Sequence, residues 1–275
     1  MTLRWWAAFV CSSLVVASGL AVNAMPGAQN REASKEVKSK LFKQVLADFG
    51  ELRECIEREE GGARTAEEGT TVEEVDLNRD GVQEYQVGLS SPCACGMVNC
   101  SIYLYRQSRS GYELILDGTA GLGLELLKTS SNGYADVRIE ARDNAATRSE
   151  TTYKFDGKQY RESGTKLVNP QTGESKPASR RVQFRRGASS ATVQGTVTIS
   201  LPDTYVVGAR AGQVMTVQLT SPRRSVNFLV SSPITTSLIA DNTRSWTGTL
   251  PETGDYTIII QADARATYSM TITIK

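Results

Sequence analysis

The sequence predicts two exported domains, an N-terminal α+β domain built from a helix plus an antiparallel meander and a C-terminal all-β sandwich. Three observations carry this. Apolar residues recur every three or four positions from Lys35 to about Glu60. From there to Arg161, and again from Val182 to Lys275, they alternate with polar residues in short runs bounded by Gly, Pro or Asp. Between these two blocks, Glu162 to Ser179 holds Gly, Pro, Ser, Thr and Lys with almost nothing apolar and cannot bury enough surface to fold alone. The expected organisation is therefore a leader, a domain over residues 35–161, a linker over residues 162–181 and a second domain over residues 182–275.

At the start, Arg4 precedes an apolar run from Trp5 to Val22, and Val22-Asn23-Ala24 supplies the small residues a signal peptidase needs. Residues 1–24 read as a cleavable signal peptide. Ser12, Ser13, Ser18 and Gly19 dilute the run as a membrane span, and Phe9-Val10 ahead of Cys11 are not the small residues of a lipoprotein signal, so no membrane anchor is expected. The expected location is periplasmic or secreted. Four cysteines follow the leader, Cys55, Cys93, Cys95 and Cys100, an even number that in an exported chain reads as two disulfides. Of the three connectivities, the one joining Cys93 to Cys95 is disfavoured by the single residue between them. The favoured one pairs Cys95 with Cys100 across the Gly96 turn and Cys55 with Cys93, tying the helix to the sheet.

The chain has no histidine. That removes Ser-His-Asp and Cys-His nucleophiles, histidine general bases and the histidine-ligated zinc sites, and leaves carboxylate-pair chemistry or none. The expectation is a protein that is not an enzyme. Residues 25–180 carry 21 Lys+Arg against 25 Asp+Glu, and residues 181–275 carry 9 against 5, eight of the nine being arginine. Arginine favours planar, bidentate contacts over loose screening. The basic residues are scattered rather than clustered along one element, so no nucleic-acid partner is expected.

The helix predicted from Lys35 to about Glu60 places Val37, Leu41, Val45, Leu46, Phe49, Leu52 and Ile56 on one face, with Gly61-Gly62 as its stop and Ala63 to Thr70 as a charged connector. In the segment Asp76-Leu77-Asn78-Arg79-Asp80-Gly81-Val82-Gln83-Glu84, the residues Asp76, Asn78, Asp80 and Glu84 fall at positions 1, 3, 5 and 9 of a calcium loop, with Gly81 at the sharp turn. Position 12 is Val87 rather than a bidentate Glu, and strands flank the loop. The other reading is a bare hairpin turn, since Asn, Asp and Gly tolerate turn backbone angles. Strands are then expected at Glu84 to Ser90, Ser101 to Arg106, Tyr112 to Asp117, Tyr134 to Ala141, Thr151 to Asp156 and Gln159 to Arg161. In the second domain they are expected over Ala191 to Leu201, from Asp203 through Val214 to Leu219, from Leu250 to Ile260, and at the close from Tyr268 to Lys275.

Two resemblances attach to these residues. The Asp-x-Asn-x-Asp-Gly-x-x-Glu loop resembles those of FG-GAP type repeats, which sit between strands and sometimes hold calcium; the order of helix, aspartate-rich hairpin and Cys-Gly-x-x-x-Cys turn is similar to a common exported α+β module. In the second domain, Asp203-Thr204-Tyr205, Ala211-Gly212-Gln213, Leu250-Pro251 to Gly254-Asp255-Tyr256 and the closing Tyr268 to Lys275 resemble the bacterial inhibitors of goose-type lysozyme. They resemble nearly as much the pre-peptidase C-terminal β-sandwich domains. The first likeness implies occlusion of a lysozyme's cleft by loops at one end of the sandwich, with Tyr205 at the Asp-Thr-Tyr position and Asp263 and Arg265 at the Asp-Ala-Arg position as contact residues. A second expectation, from composition, is a module that binds peptidoglycan or another carbohydrate through stacking by Trp246, Tyr205 and Tyr268.

Overall fold

The computed structural model describes residues 31–275; the expected signal peptide lies outside the described residues. A two-residue strand, β1 (Arg31–Glu32), leads into α1 (Lys35–Asp48), which Ser34 caps by accepting a hydrogen bond from the Val37 amide at 3.3 Å. Leu41, Phe42 and Val45 form its buried stripe. The single expected helix is broken at Phe49, whose backbone leaves the helical region, and resumes as α2 (Gly50–Arg58). Beyond it, the expected connector is itself helical. Gly61 adopts a left-handed conformation (φ 79°) and opens α3 (Gly62–Glu68), which buries Ala66. Glycine at that cap turns the chain rather than ending helix altogether.

A first antiparallel sheet follows, in the order β1, β2 (Thr70–Val75), β3 (Glu84–Leu89), β4 (Cys100–Ser108) and β5 (Gly111–Gly121). A second is built from β6 (Gly123–Ser131), β7 (Tyr134–Arg142), β8 (Arg148–Phe155), β9 (Tyr160–Val168) and β10 (Ser175–Pro177), again antiparallel. The first sheet is the middle layer. On β4 the run Ile102 to Tyr105 is buried without interruption, because Tyr103 and Tyr105 pack with Leu41, Phe42, Val45 and Ile56 while Ile102 and Leu104 pack with Val137, Ile139 and Phe155. The Tyr105 hydroxyl, within the apolar layer, donates to the Asp48 carboxylate at 2.9 Å. Strand β6 was not expected, since only Leu124 and Leu126 of its residues pack against the core, and both only partly.

The disulfides pair Cys55 with Cys93 and Cys95 with Cys100. The first ties α2 to the loop after β3; the second closes a short loop whose tip, Met97, is fully exposed.

The segment expected as a linker is structured. Strand β9 runs on to Val168, β10 adds an edge to it, and β11 (Arg180–Arg181) pairs in parallel with β13 (Asp203–Ala209). Composition misleads here because β9, β10 and β11 are largely open to water and need few apolar residues. The remaining strands are β12 (Ser190–Val197), β14 (Val214–Thr220), β15 (Asn227–Ser231), β16 (Leu238–Thr243), β17 (Ser245–Thr249), β18 (Gly254–Gln261) and β19 (Ala266–Ile274). They form two sheets, β11-β13-β18-β15-β16 and β12-β19-β14-β17. Inward residues alternate along each strand, as in Tyr256, Ile258 and Ile260 facing Met270 and Ile272, and this core draws only on residues from Val182 onward.

Replacing Cys55 and Cys93 together by Ser should lower the unfolding free energy by about 3–4 kcal/mol, the chain-entropy value for a separation of 38 residues. Urea denaturation measures it, and an unchanged midpoint would mean that packing alone holds α2 to the sheet.

Candidate functional site

Asp203 opens β13 and is buried together with Tyr205, which lies two residues on and therefore on the same face. A buried carboxylate needs compensating partners, and these come from three directions. Lys176 on β10 approaches one oxygen at 2.8 Å, Arg180 on β11 the other at 3.0 Å, and the Tyr268 hydroxyl on β19 donates to that second oxygen. The Tyr205 and Tyr268 hydroxyls meet at 2.8 Å, and the Arg180 guanidinium stands 4.6 Å over the Tyr205 ring. Burial first, then donation to Asp203, pushes the Tyr268 phenol well above its ordinary value, so it remains a donor. Gly195 on β12 lies against this cluster. A Cβ there would sit 2.5 Å from both the Asp203 carboxylate and the Tyr268 oxygen, so no other residue fits without displacing them.

Tyr205 was expected to offer contact area to a partner; at 2 % exposure it offers none. The Asp203-Thr204-Tyr205 string holds strands together. Nothing in the sequence marks Lys176 and Arg180 for this role, because the polar stretch around them reads as a linker. Asp203→Ala should destabilise the chain by about 3–5 kcal/mol, because two cations lose their buried counter-charge. A loss under about 1 kcal/mol in denaturant titration would show that water solvates both.

The other expected contact residues lie at the end of the sandwich where β18 runs out and β19 begins. Asp263 and Arg265 occupy that connection and are exposed. Arg265 donates to both oxygens of Glu174, at 3.0 and 3.1 Å. The neighbouring loop after β14 is braced by Arg244, which donates to the Ser221 carbonyl at 3.0 Å, and by Ser221, whose hydroxyl donates to the Thr267 carbonyl at 2.7 Å. This loop carries Pro222, Arg223 and Arg224, all exposed. Between the two loops opens a cleft of about 320 Å³ lined by Thr196, Pro222, Arg223, Arg265, Ala266 and Thr267. Its floor is small and partly apolar and two of its lining residues are arginines, which suits an acidic group presented by another molecule.

The expected calcium residues do come together. Asp76 accepts from the Arg79 amide at 2.6 Å and the Gly81 amide at 3.2 Å, Asp80 accepts from the Val82 amide at 2.7 Å, and Glu84 accepts from the Leu77 amide at 2.8 Å. The Asn78 amide nitrogen points inward, to Asp80 at 2.9 Å and Glu84 at 3.4 Å. The Asn78 side chain thus turns a donor toward the two carboxylates while its oxygen accepts from the Asp80 amide at 2.9 Å, and these contacts form a hydrogen-bonded turn. Burial, then the nearby Asp80 and Asp76 charges, push the Glu84 carboxyl up to about 7. A carboxyl raised on folding contributes stability that is complete below its unfolded value and lost as pH rises through its folded value. The melting temperature should therefore fall between about pH 5 and about pH 8, and Glu84→Gln should reduce that fall. Millimolar calcium at the upper pH should leave it unchanged; a rise of several degrees would show that Asn78 turns its oxygen inward to a bound ion.

Of the three aromatics expected to stack on sugars, two are closed off and the third is partly buried. Tyr205 and Tyr268 are buried, and Trp246 packs against the sandwich core with its ring over Gly248.

No protein-family model matches the chain, and no curated protein matches it. Among solved structures it is similar to a periplasmic inhibitor of g-type lysozyme from Aeromonas hydrophila, at 29% identity over 35% of this chain and 96% of that one, with a TM-score of 0.33. The inhibitor from Salmonella Typhimurium is 23% identical over 35% of this chain and 97% of its own, with a TM-score of 0.30. The pre-peptidase C-terminal domain of a Bacillus anthracis collagenase is 11% identical over 35% of this chain and 94% of its own, at 0.27. TM-scores at this level leave the function to be read from the residues themselves.

Proposed function

We propose that this chain is an exported, non-enzymatic protein that binds a goose-type lysozyme and inhibits it by presenting the loop end of its sandwich to the active-site cleft. The observation that carries the reading is Arg265. It stands exposed at the lip of a cleft, on the Asp263-Ala264-Arg265 connection that resembles the inhibitors' Asp-Ala-Arg, and a guanidinium there can fork onto a carboxylate in the partner's cleft. Asp203, Tyr205 and Tyr268 serve this arrangement from beneath: they fix where β13 and β19 begin, and so where the loops at that end emerge. The two disulfides fit an oxidising compartment, which supports a periplasmic or secreted location. Asp263, exposed beside Arg265, is assigned a rim contact.

The test is turnover of a soluble oligosaccharide by goose-type lysozyme with full-length protein added, because a soluble substrate excludes slowing by mere coating of a cell wall. Inhibition is expected, and Arg265→Ala should weaken it by tens of fold or more, about 2 kcal/mol or above, since truncation leaves the partner's carboxylate unpaired in a closed interface. Asp263→Ala should matter less than about 1 kcal/mol, as rim charges do. If the protein in large molar excess leaves turnover unchanged for every goose-type lysozyme tried, the reading falls.

A further inference from the structure

The cleft's two arginines are in different states. Arg265 is held by Glu174, whereas Arg223 is exposed and has no carboxylate partner among the described residues. Glu174 comes from outside the sandwich. It ends the turn between β9 and β10, in which the Gly173 amide donates to the Asn169 carbonyl and the Asn169 amide to the Glu174 carbonyl, both at 2.8 Å. The Asn169 side chain fixes this turn to the sandwich by donating to the Ser200 hydroxyl at 2.9 Å, and Thr147 donates to the Ser200 carbonyl beside it. Glu174 is therefore carried to Arg265 by a turn with its own anchor.

We propose that the cleft between Arg223 and Arg265 is a carboxylate-binding site and that Glu174 is its internal competitor, a carboxylate of the chain itself pairing with one arm until an incoming carboxylate displaces it. The proposal deepens the lysozyme-binding reading and rests on it for the identity of the protein that brings the carboxylate. Arg223 engages first, having no bond to lose; Arg265 follows on release from Glu174. Because the Arg265–Glu174 pair is exposed on both sides, with 65% and 42% of the two side chains accessible, its displacement costs little and tunes affinity rather than blocking the site.

Two readouts on the full-length protein separate this from the lysozyme reading. In the first, a fluorescent oligoglutamate peptide is titrated by anisotropy at low salt. Glu174→Gln should tighten binding by about 2- to 5-fold, the range of an exposed ion pair. Arg223→Ala should weaken it by about 5-fold or more and Arg265→Ala by a similar factor, with Arg210→Ala at the opposite end of the sandwich as the neutral control. The second readout is inhibition of lysozyme on soluble substrate, where the same order of variants is expected. Peptide binding with that order but no lysozyme inhibition keeps the carboxylate site and removes the lysozyme reading. Inhibition that is indifferent to Glu174→Gln and Arg223→Ala keeps the lysozyme reading and overturns this one. Peptide binding that Glu174→Gln leaves unchanged, or that Arg210→Ala weakens as much as Arg223→Ala, overturns it as well.

Discussion

The back half of the molecule depends on one buried charge. Asp203 has 3% of its side chain accessible and is held by Lys176 at 2.8 Å and Arg180 at 3.0 Å, with the Tyr268 hydroxyl as a further donor. An ionised carboxylate at that depth is tolerable only when every partner is in place. The constraint reaches outward in sequence: β12 must carry Gly195, β13 must start where Tyr205 reaches Tyr268, and β10 and β11 must return to supply the cations. Although the sandwich core itself begins at Val182, its electrostatics begin at Lys176. A fragment starting at Val182 would leave Asp203 buried with neither cation.

The Asp203-Thr204-Tyr205 string therefore acts through the loops it positions rather than through its own surface. Asp203 and Tyr205 are inside, and what they govern is the origin of the loops on which Arg265 and Arg223 stand. Burying a charge is a poor route to stability against an apolar substitute, but here it ties β13 to β10, β11 and β19, whose donors all meet Asp203 in the observed register.

Much of this was legible in the sequence, for identifiable reasons. Strands with inward Val, Ile and Tyr at period two, such as β3, β13, β18 and β19, carry their own signal, and the pairing of Cys95 with Cys100 followed from spacing around a turn. Elements with few buried apolar residues were lost, as was the short central strand β15. Strand β6 keeps two half-buried leucines, β16 is interrupted by irregular pairing with β15, and β9 to β11 are mostly open to water, so none has the alternation that marks a strand. The break at Phe49 was invisible because the apolar spacing runs through it. Charged residues inside a polar stretch announce no partner, and so Glu174, Lys176 and Arg180 could be placed only once the chain was folded.

The charge distribution gives the contact between the two halves a further meaning. Residues 25–180 hold 21 basic and 25 acidic groups and residues 181–275 hold 9 and 5, so the surplus of four negative charges in front equals the surplus of four positive charges behind. A partner at a distance meets a nearly neutral body, and beyond a Debye length of about 8–10 Å the two surpluses are screened from each other. Attraction is therefore local, set by which charges stand free at the loop end. There the basic half supplies Arg223, Arg224 and Arg265 and the acidic half supplies Glu174, carried in by a turn fixed through Asn169 to Ser200. The front half thus contributes to the site without forming its wall: it determines how much of the arginine charge at the cleft is already answered before any other molecule arrives.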